Sequence, residues 1–487
     1  MRPATSSCRE WLIENGHSLV TRFSPRHCRR NDQVSSTRHG ENAVKPRRAF
    51  GPCGIVAIGA WWLVLLVGLI PVPGEAQLTR IERARGLIML DVVREDIEKH
   101  YFDPAYGGVD LKAVFDTARS KVQRAERIEQ VFGAIAVAAL ELNDSHTAFI
   151  PPGLVYRAEY GWNVRFVGDT CRIIEVREGS DAAQKGVRVG DALLEVNGVR
   201  LTRRNLWQLK YSIHALQPRS SLRMNVLSPN LNTGARELEI RSKVIERRRI
   251  LDPSSSFDLW QLIREGENDW EEWVPRHAVI DQRVLVWRLQ EFHSDGSWID
   301  DLHKLLRSRD ALVLDLRGNG GGAVSALTRL VGRFYEQDVV VATELRRNER
   351  TEMVAKGAGK NRFHGSLVVL VDAESGSASE VFARTVQLTD RGKVVGDRTA
   401  GAVRASRAYI HAVGTQTAAF YGASVTVSDL VMPDGGRLEN TGVSPDEVVL
   451  PSGDDLAAGH DPALARALSL VGVSRTPKEA GALVFRK

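Results

Sequence analysis

Cysteine is nearly absent from most of this 487-residue chain: Cys8, Cys28 and Cys53 fall near the start, and only Cys171 lies beyond. A single thiol forms no internal disulfide, so the body must be held by its core. Neither a His-x-x-x-His pair nor a paired-cysteine spacing occurs, and no metal or cofactor is expected. Proline is sparse, with 18 residues, and 43% apolar content rules out a largely disordered or fibrous chain. Net charge is also missing from the body. Residues 1–50 hold ten Lys/Arg against four acids, which accounts for the whole excess of +6; of 66 basic and 60 acidic residues, 56 of each remain. No basic face for nucleic acid is implied.

What is present begins with a membrane-directed segment. No charge lies between Arg48 and Glu75, and residues 54–70 form an unbroken apolar run of 17. That length falls between a signal h-region and a short spanning helix. Basic residues precede it, and Pro71–Ala76 follows with helix breakers and small residues resembling a signal-peptidase site. Residues 1–76 are therefore expected to be a basic leader plus a signal peptide or anchor. By the positive-inside rule the remainder is exported, periplasmic or otherwise extracytoplasmic. The membrane is touched only through this segment, if it is uncleaved.

Residues 77–153 repeat apolar positions at three- and four-residue steps, through Ile81, Ala84, Leu87, Leu90, Val93 and Ile97 and again from Val131 to Leu140. A small helical N-terminal region is expected. Residues 154–245 change to short strand-like runs, Val164–Val167, Cys171–Ile174 and Ala192–Val196, separated by Gly-Asp and Asn-Gly turns. The order Gly179-Ser180-Asp181-Ala182-Ala183, Gly186-Val187-Arg188-Val189-Gly190-Asp191, Val196-Asn197-Gly198 resembles a PDZ domain. That resemblance implies a fold that takes an extended peptide as an added strand. Its binding loop would be Tyr160, Gly161, Trp162, Asn163 and Val164. Residues 246–475 alternate buried-strand runs (Val284–Trp287, Ala311–Leu314, Leu367–Val371, Val394-Val395) with helices, the mark of an α/β core, and 476–487 form a tail.

Three short stretches could carry chemistry. Asp315-Leu316-Arg317-Gly318-Asn319-Gly320-Gly321-Gly322 follows a strand and could present backbone N–H groups. It lacks a P-loop ending and a dinucleotide spacing, and a plain strand-to-helix turn is an equal reading. Ser377, in Ser375-Gly376-Ser377-Ala378-Ser379-Glu380, sits on a small-residue turn into a helix, where a hydroxyl is exposed beside helical N–H groups. Ser377-x-x-Glu380 is equally a capping box. His146 lies in Leu142-Asn143-Asp144-Ser145-His146-Thr147, 231 residues before Ser377.

Together with Val394–Gly401 and Gly442-Val443-Ser444-Pro445-Asp446, these motifs from Leu78 to Val471 resemble the tail-specific or C-terminal processing serine peptidases and their tricorn relatives. The resemblance implies an α/β, ClpP/crotonase-like peptidase core with an inserted PDZ-like β domain. It further implies a polypeptide substrate, Ser377 as nucleophile, and an oxyanion hole from the Ala378 N–H with that of Gly320 or Gly321. The processing enzymes' general base, a lysine in Thr-x-Gly-Lys, would fall at position 402, which is alanine here. Arg398 and Arg404 cannot serve, since arginine stays protonated in proteins. The tricorn-like branch implies instead a tetrad of Ser377, His146, Ser145 and Glu439. Two other outcomes stay open on sequence: Lys393 as a relocated base, or an inactive peptide-binding scaffold in which Ser377 is only a helix cap.

Overall fold

The computed structural model describes residues 77–153, 156–228, 234–246, 263, 275–414 and 418–486. The leader and the apolar run at 54–70 lie outside the described residues. Helix α1 (Arg80–His100) starts at Thr79, whose hydroxyl accepts from the Glu82 N–H while the Glu82 carboxylate accepts from the Thr79 N–H. It buries Met89, Leu90, Val93 and Ile97; of the expected stripe Leu90, Val93 and Ile97 are buried, Leu87 is half-buried, and Ile81 and Ala84 are exposed. A turn through Asp103-Pro104 and Gly107-Gly108 is followed by a helix the sequence reading passed over. This α2 (Leu111–Arg124) buries Leu111, Phe115, Ala118 and Val122 and is capped by Asp110. Helix α3 (Ile128–Leu140), rich in alanine, is buried over most of its length. Strand β1 (Ala148–Ile150) then pairs with Gly422–Ser424, which stitches the N-terminal helices to a sheet formed much later in the chain.

The next segment is β-rich, as expected. Strands β2 (Tyr156–Glu159), β3 (Trp162–Val167), β4 (Thr170–Val176), β5 (Ala192–Val196), β6 (Val199–Arg200), β7 (Ser221–Leu227), β8 (Arg236–Arg241) and β9 (Lys243–Glu246) surround helices α4 (Asp181–Gln184) and α5 (Leu206–Tyr211). Their sheet runs β3-β4-β5-β7-β8, with β6 on β5 and β2 paired to β9. Strand β3 is therefore an edge.

The α/β part is built on a sheet ordered β10 (Arg276–Ile280), β11 (Val284–Arg288), β12 (Ala311–Asp315), β15 (Ser366–Val371), β16 (Lys393–Gly396), β19 (Glu447–Val448). All neighbours after the β10–β11 pair are parallel. Side chains alternate between two buried faces, which is why these strands read as unbroken apolar runs. Leu285, Leu312, Leu314, Val369 and Val371 pack with helices α6 (Ser297–Leu306), α7 (Val324–Gly332) and α8 (Ala378–Leu388). Val284, Val286, Val313, Val368, Leu370 and Val395 face Leu464, Ala467 and Leu468 of a helix at Pro462–Leu470. Strands β13 (Val339–Leu345), β14 (Arg350–Ala355), β17 (Ala405–Val413) and β18 (Ala419–Val431) form a second sheet with β1.

Parallel strands deliver their following loops to one edge. The loops after β12, β15 and β16 are those with the glycine run, Ser377 and Ala402. Ion pairs dock the β-rich segment onto this edge: Arg165–Asp372 at 2.6 Å, Arg203–Asp397 at 2.5 Å and Lys210–Glu374 at 2.9 Å. Beneath the glycine loop Arg317 bridges Asp315 and Asp461, each at 2.8 Å. Burial works against ionising Asp315, yet the Arg317 guanidinium outweighs it and holds the carboxyl well below the usual range. Replacing Arg317 by methionine removes the cation of Asp461 and leaves Asp315 with Arg288 alone, and is expected to cost about 3–5 kcal/mol in urea unfolding. A loss under about 1 kcal/mol would contradict this reading of the bridge.

Candidate active site

Ser377 stands at the head of α8 with φ 50° and ψ −115°, a backbone conformation non-glycine residues rarely adopt. It is held there by its N–H, which donates to the Ala402 carbonyl at 2.8 Å and to Glu380 Oε2 at 3.1 Å. The glycine loop approaches from the other side. At Gly321 (φ 111°) a Cβ would sit 2.5 Å from the Ser377 Cβ, so no other residue fits without moving the serine. Asn319, fully buried, ties the two loops: its carbonyl accepts from the Gly376 N–H and the Ser379 hydroxyl, both at 2.9 Å.

Of the two glycines expected as oxyanion donors, Gly321 already donates its N–H to Asn319 Oδ1 at 2.8 Å, and Gly320 lines the cleft; Ala378 opens α8. Side-chain bonding by Asn319 was not legible from the glycine run itself.

Ser145, His146 and Glu439 form a hydrogen-bonded chain. Ser145 Oγ lies 2.6 Å from His146 Nδ1 and 3.0 Å from Glu439 Oε2, and the Ser145 N–H reaches Glu439 Oε1 at 2.9 Å. An ionised Glu439 only accepts, so the single hydroxyl proton of Ser145 goes to it. The proton between Ser145 and His146 then belongs to Nδ1, which leaves Nε2 with the lone pair. Asp144 fixes this loop by accepting from the His146 and Thr147 N–H groups at 2.9 and 2.6 Å and from the Thr426 hydroxyl of β18 at 2.9 Å. Ser145 and His146 are 7% and 6% exposed.

One short segment joins this chain to Ser377. Ala402 accepts from Ser377, and the next residue, Val403, donates its N–H to Glu439 Oε2 at 3.0 Å. Ala402 is itself buried, and Arg404 lies over the Phe102 ring and 3.6 Å from Asp144. Lys393 is not placed to act as a base. It opens β16, in register with Val368, at the end of the sheet away from Ser377, where it is exposed beside Asp390.

Glu380 is the residue the sequence reading undervalued, as no more than a capping partner. Fully buried, its carboxylate gathers the Thr399 hydroxyl at 2.6 Å and the N–H groups of Gly401, Ala402 and Ser377 at 2.8, 2.9 and 3.1 Å. Burial pushes its carboxyl up to about 7, against these hydrogen bonds. Only the buried-carboxylate geometry reveals this; Ser-x-x-Glu occurs at ordinary helix starts.

Beside these groups lies a cleft of about 390 Å³ lined by Ser145, Gly320, Gly376 and Ala402 and, from the β-rich segment, Phe166 and Trp207. A smaller groove of about 40 Å³ lies between β3 and the helix beyond α5, lined by Trp162, Val164, Leu209, Ile213 and His214. All five residues of the expected binding loop, Tyr160, Gly161, Trp162, Asn163 and Val164, border this groove. Tyr160, 4% exposed, is also a structural residue: its hydroxyl donates to the Ile213 carbonyl at 3.3 Å and accepts from the Arg219 N–H at 2.9 Å.

A strained serine at a helix start beside a glycine loop is the equipment of a serine-type peptidase, and comparison with known proteins gives that class. Residues 283–449 match the family model described as peptidase family S41. It is 23% identical over 374 residues to the chloroplastic C-terminal processing peptidase of Tetradesmus obliquus, covering 74% of this chain and 76% of that one. It is 25% identical to the carboxyl-terminal-processing protease of a Picosynechococcus species (59% and 62%) and 24% identical to the putative tricorn protease homolog 2 of Streptomyces coelicolor (77% and 31%). The chain thus spans between about three-fifths and three-quarters of the first two relatives and under a third of the third. Among solved structures, mature CPAF shares the fold with a TM-score of 0.57 at 15% identity, over 77% of this chain and 94% of that one.

Glu380→Gln places an amide NH₂ against backbone donors and is expected to lower stability by about 2–4 kcal/mol, through unsatisfied buried groups. The carboxyl titrates higher folded than unfolded, so its stabilising contribution is complete at low pH and is lost as pH rises from the ordinary glutamate range through about 7. Unfolding free energies measured across that window should slope more steeply for the natural chain than for the variant. Equal slopes would contradict the assignment.

Proposed function

We propose that this chain is an exported serine endopeptidase in which Ser377 is the nucleophile and His146 the general base, oriented by Ser145 and Glu439. The observation that carries the reading is the backbone link of Ala402 and Val403, which hydrogen-bonds Ser377 on one side and Glu439 on the other. His146 Nε2 takes the Ser377 proton as Oγ attacks the peptide carbonyl. The N–H groups of Ala378 and Gly320 receive the oxyanion, the protonated imidazole delivers its proton to the leaving amine, and water hydrolyses the acyl-enzyme by the same route. A neutral imidazole can accept that proton without the strong desolvation that a lysine base requires.

The core is read as ClpP/crotonase-like and residues 154–245 as a PDZ-like domain that presents unfolded or C-terminal polypeptide segments. Support for the second reading is the edge position of β3 beside an apolar groove. Two buried polar atoms, the Trp162 indole N–H and His214 Nδ1, have no partner there among the described residues. Burial pushes His214 down to about 3, so it stays a neutral hydrogen-bonding group. Export follows from the basic leader and the apolar run at 54–70.

The purified full chain should be labelled by a fluorophosphonate at Ser377, and Ser377→Ala should abolish labelling. His146→Ala should slow it by roughly 10³-fold or more. Rapid labelling without His146 would sink the histidine base, and no labelling of folded protein would leave the peptide-binding scaffold. Gly321→Ala displaces the serine and should slow labelling by roughly 10²-fold while leaving peptide binding in the β3 groove unchanged.

A further inference from the structure

A residual positive charge in the catalytic cleft points to the kind of segment it selects, an inference that rests on the peptidase reading above. Among the described residues, six charged ones line the cleft: Asp144, Arg203, Arg204, Lys210, Glu374 and Arg398. Four of them are spent. Asp144 is buried, consumed by backbone and hydroxyl donors and facing Arg404. Lys210 is bonded to Glu374 at 2.9 Å, and Arg203 to Asp397 at 2.5 Å. Arg204 and Arg398 remain. Both are exposed to the cleft, and among the described residues neither guanidinium has an ion-pair or hydrogen-bond partner.

The two come from different parts of the chain but lie on one side of the cleft. Arg203, the neighbour of Arg204, donates to the Arg398 carbonyl at 3.0 Å and thereby pins the two turns together. Two uncompensated cations beside apolar walls, here Phe166, Leu206 and Trp207, concentrate a positive potential where a substrate chain must pass. A guanidinium also matches the carboxylate in shape and accommodates it bidentately.

We propose that Arg204 and Arg398 make this cleft selective for polypeptide segments that carry a carboxylate, supplied by an Asp or Glu side chain or by the segment's own C-terminus. Segments with lysine or arginine at the same place are disfavoured. Partly exposed charge pairs of this kind are modest, and the two together should give about a 3–10-fold preference.

The test uses the full chain with Ser377→Ala, which binds without turnover, titrated with fluorescent peptides. One set carries Glu at each position in turn with an amidated C-terminus, a second has Gln in place of Glu, and a third is the Gln peptide with a free C-terminus. One of the two carboxylate sets should bind about 3–10-fold tighter than the amidated Gln peptide at low salt, with the advantage shrinking as added salt screens it. Which set does so identifies the source of the carboxylate. Adding Arg204→Gln and Arg398→Gln should erase the advantage, and Arg204→Glu with Arg398→Glu should turn it toward Lys peptides, whereas Lys478→Gln on a distant helix should change nothing. Equal binding by all three sets, or an advantage that survives the double substitution, overturns the proposal. Fluorophosphonate labelling of the unsubstituted chain separates the two readings: a labelled enzyme without preference refutes only the selectivity, and an unlabelled protein with preference refutes only the peptidase.

Discussion

The site depends on the backbone of Gly401, Ala402 and Val403. Three N–H groups and one carbonyl in this segment are all committed: Gly401 and Ala402 donate to Glu380, Ala402 accepts from Ser377, and Val403 donates to Glu439. The two bonds to Glu380 are buried, where a lost partner costs far more than a bond gains at the surface. The segment therefore acts as a rigid spacer that sets the distance between a helix-head serine and a histidine loop arriving from the N-terminal helices. Side-chain identity at position 402 matters little to that role, because the work is done by main-chain atoms.

Around this spacer the fold supplies convergence. A parallel sheet buried on both faces sends three successive loops to one edge, and charge pairs from the β-rich segment close over that edge at Asp372, Glu374 and Asp397. Two of the same acids also organise the loops. Asp372 accepts from the N–H groups of Gly318, Glu374 and Ser375, and Asp397 accepts from Gly168 and Arg398. Docking of the β-rich segment and the shape of the loops after β12, β15 and β16 thus share carboxylates, so neither can be disturbed without the other. Ser377 stands at the N-cap position of α8 and donates its N–H to Glu380. The Glu380 carboxylate that closes the cap is the same group that anchors the spacer.

Much of the architecture was legible because burial leaves a period in the sequence. Strands covered on both faces read as continuous apolar runs, and α1 declared itself through Leu90, Val93 and Ile97. Helix α2 was passed over because Leu111, Phe115, Ala118 and Val122 are separated by charged residues and follow closely on a glycine-rich turn. Register and long-range pairing left no such trace. Nothing near Ala148–Ile150 shows that it pairs with Gly422–Ser424.

The sequence by itself determined the residue types: a serine between small residues before a helix, a histidine in a polar loop, a glycine run after a strand, and alanine where the related enzymes place lysine. Only the tertiary structure decided which of them meet. Ser145 and Glu439 are 294 residues apart and share two hydrogen bonds, Asn319 removes Gly321 from the pool of free donors, and Lys393 is carried to the wrong end of its strand. The physical reason is that local spacing fixes dihedral preferences and burial patterns, whereas a catalytic distance is set by sheet order and loop anchoring, which depend on contacts remote in sequence.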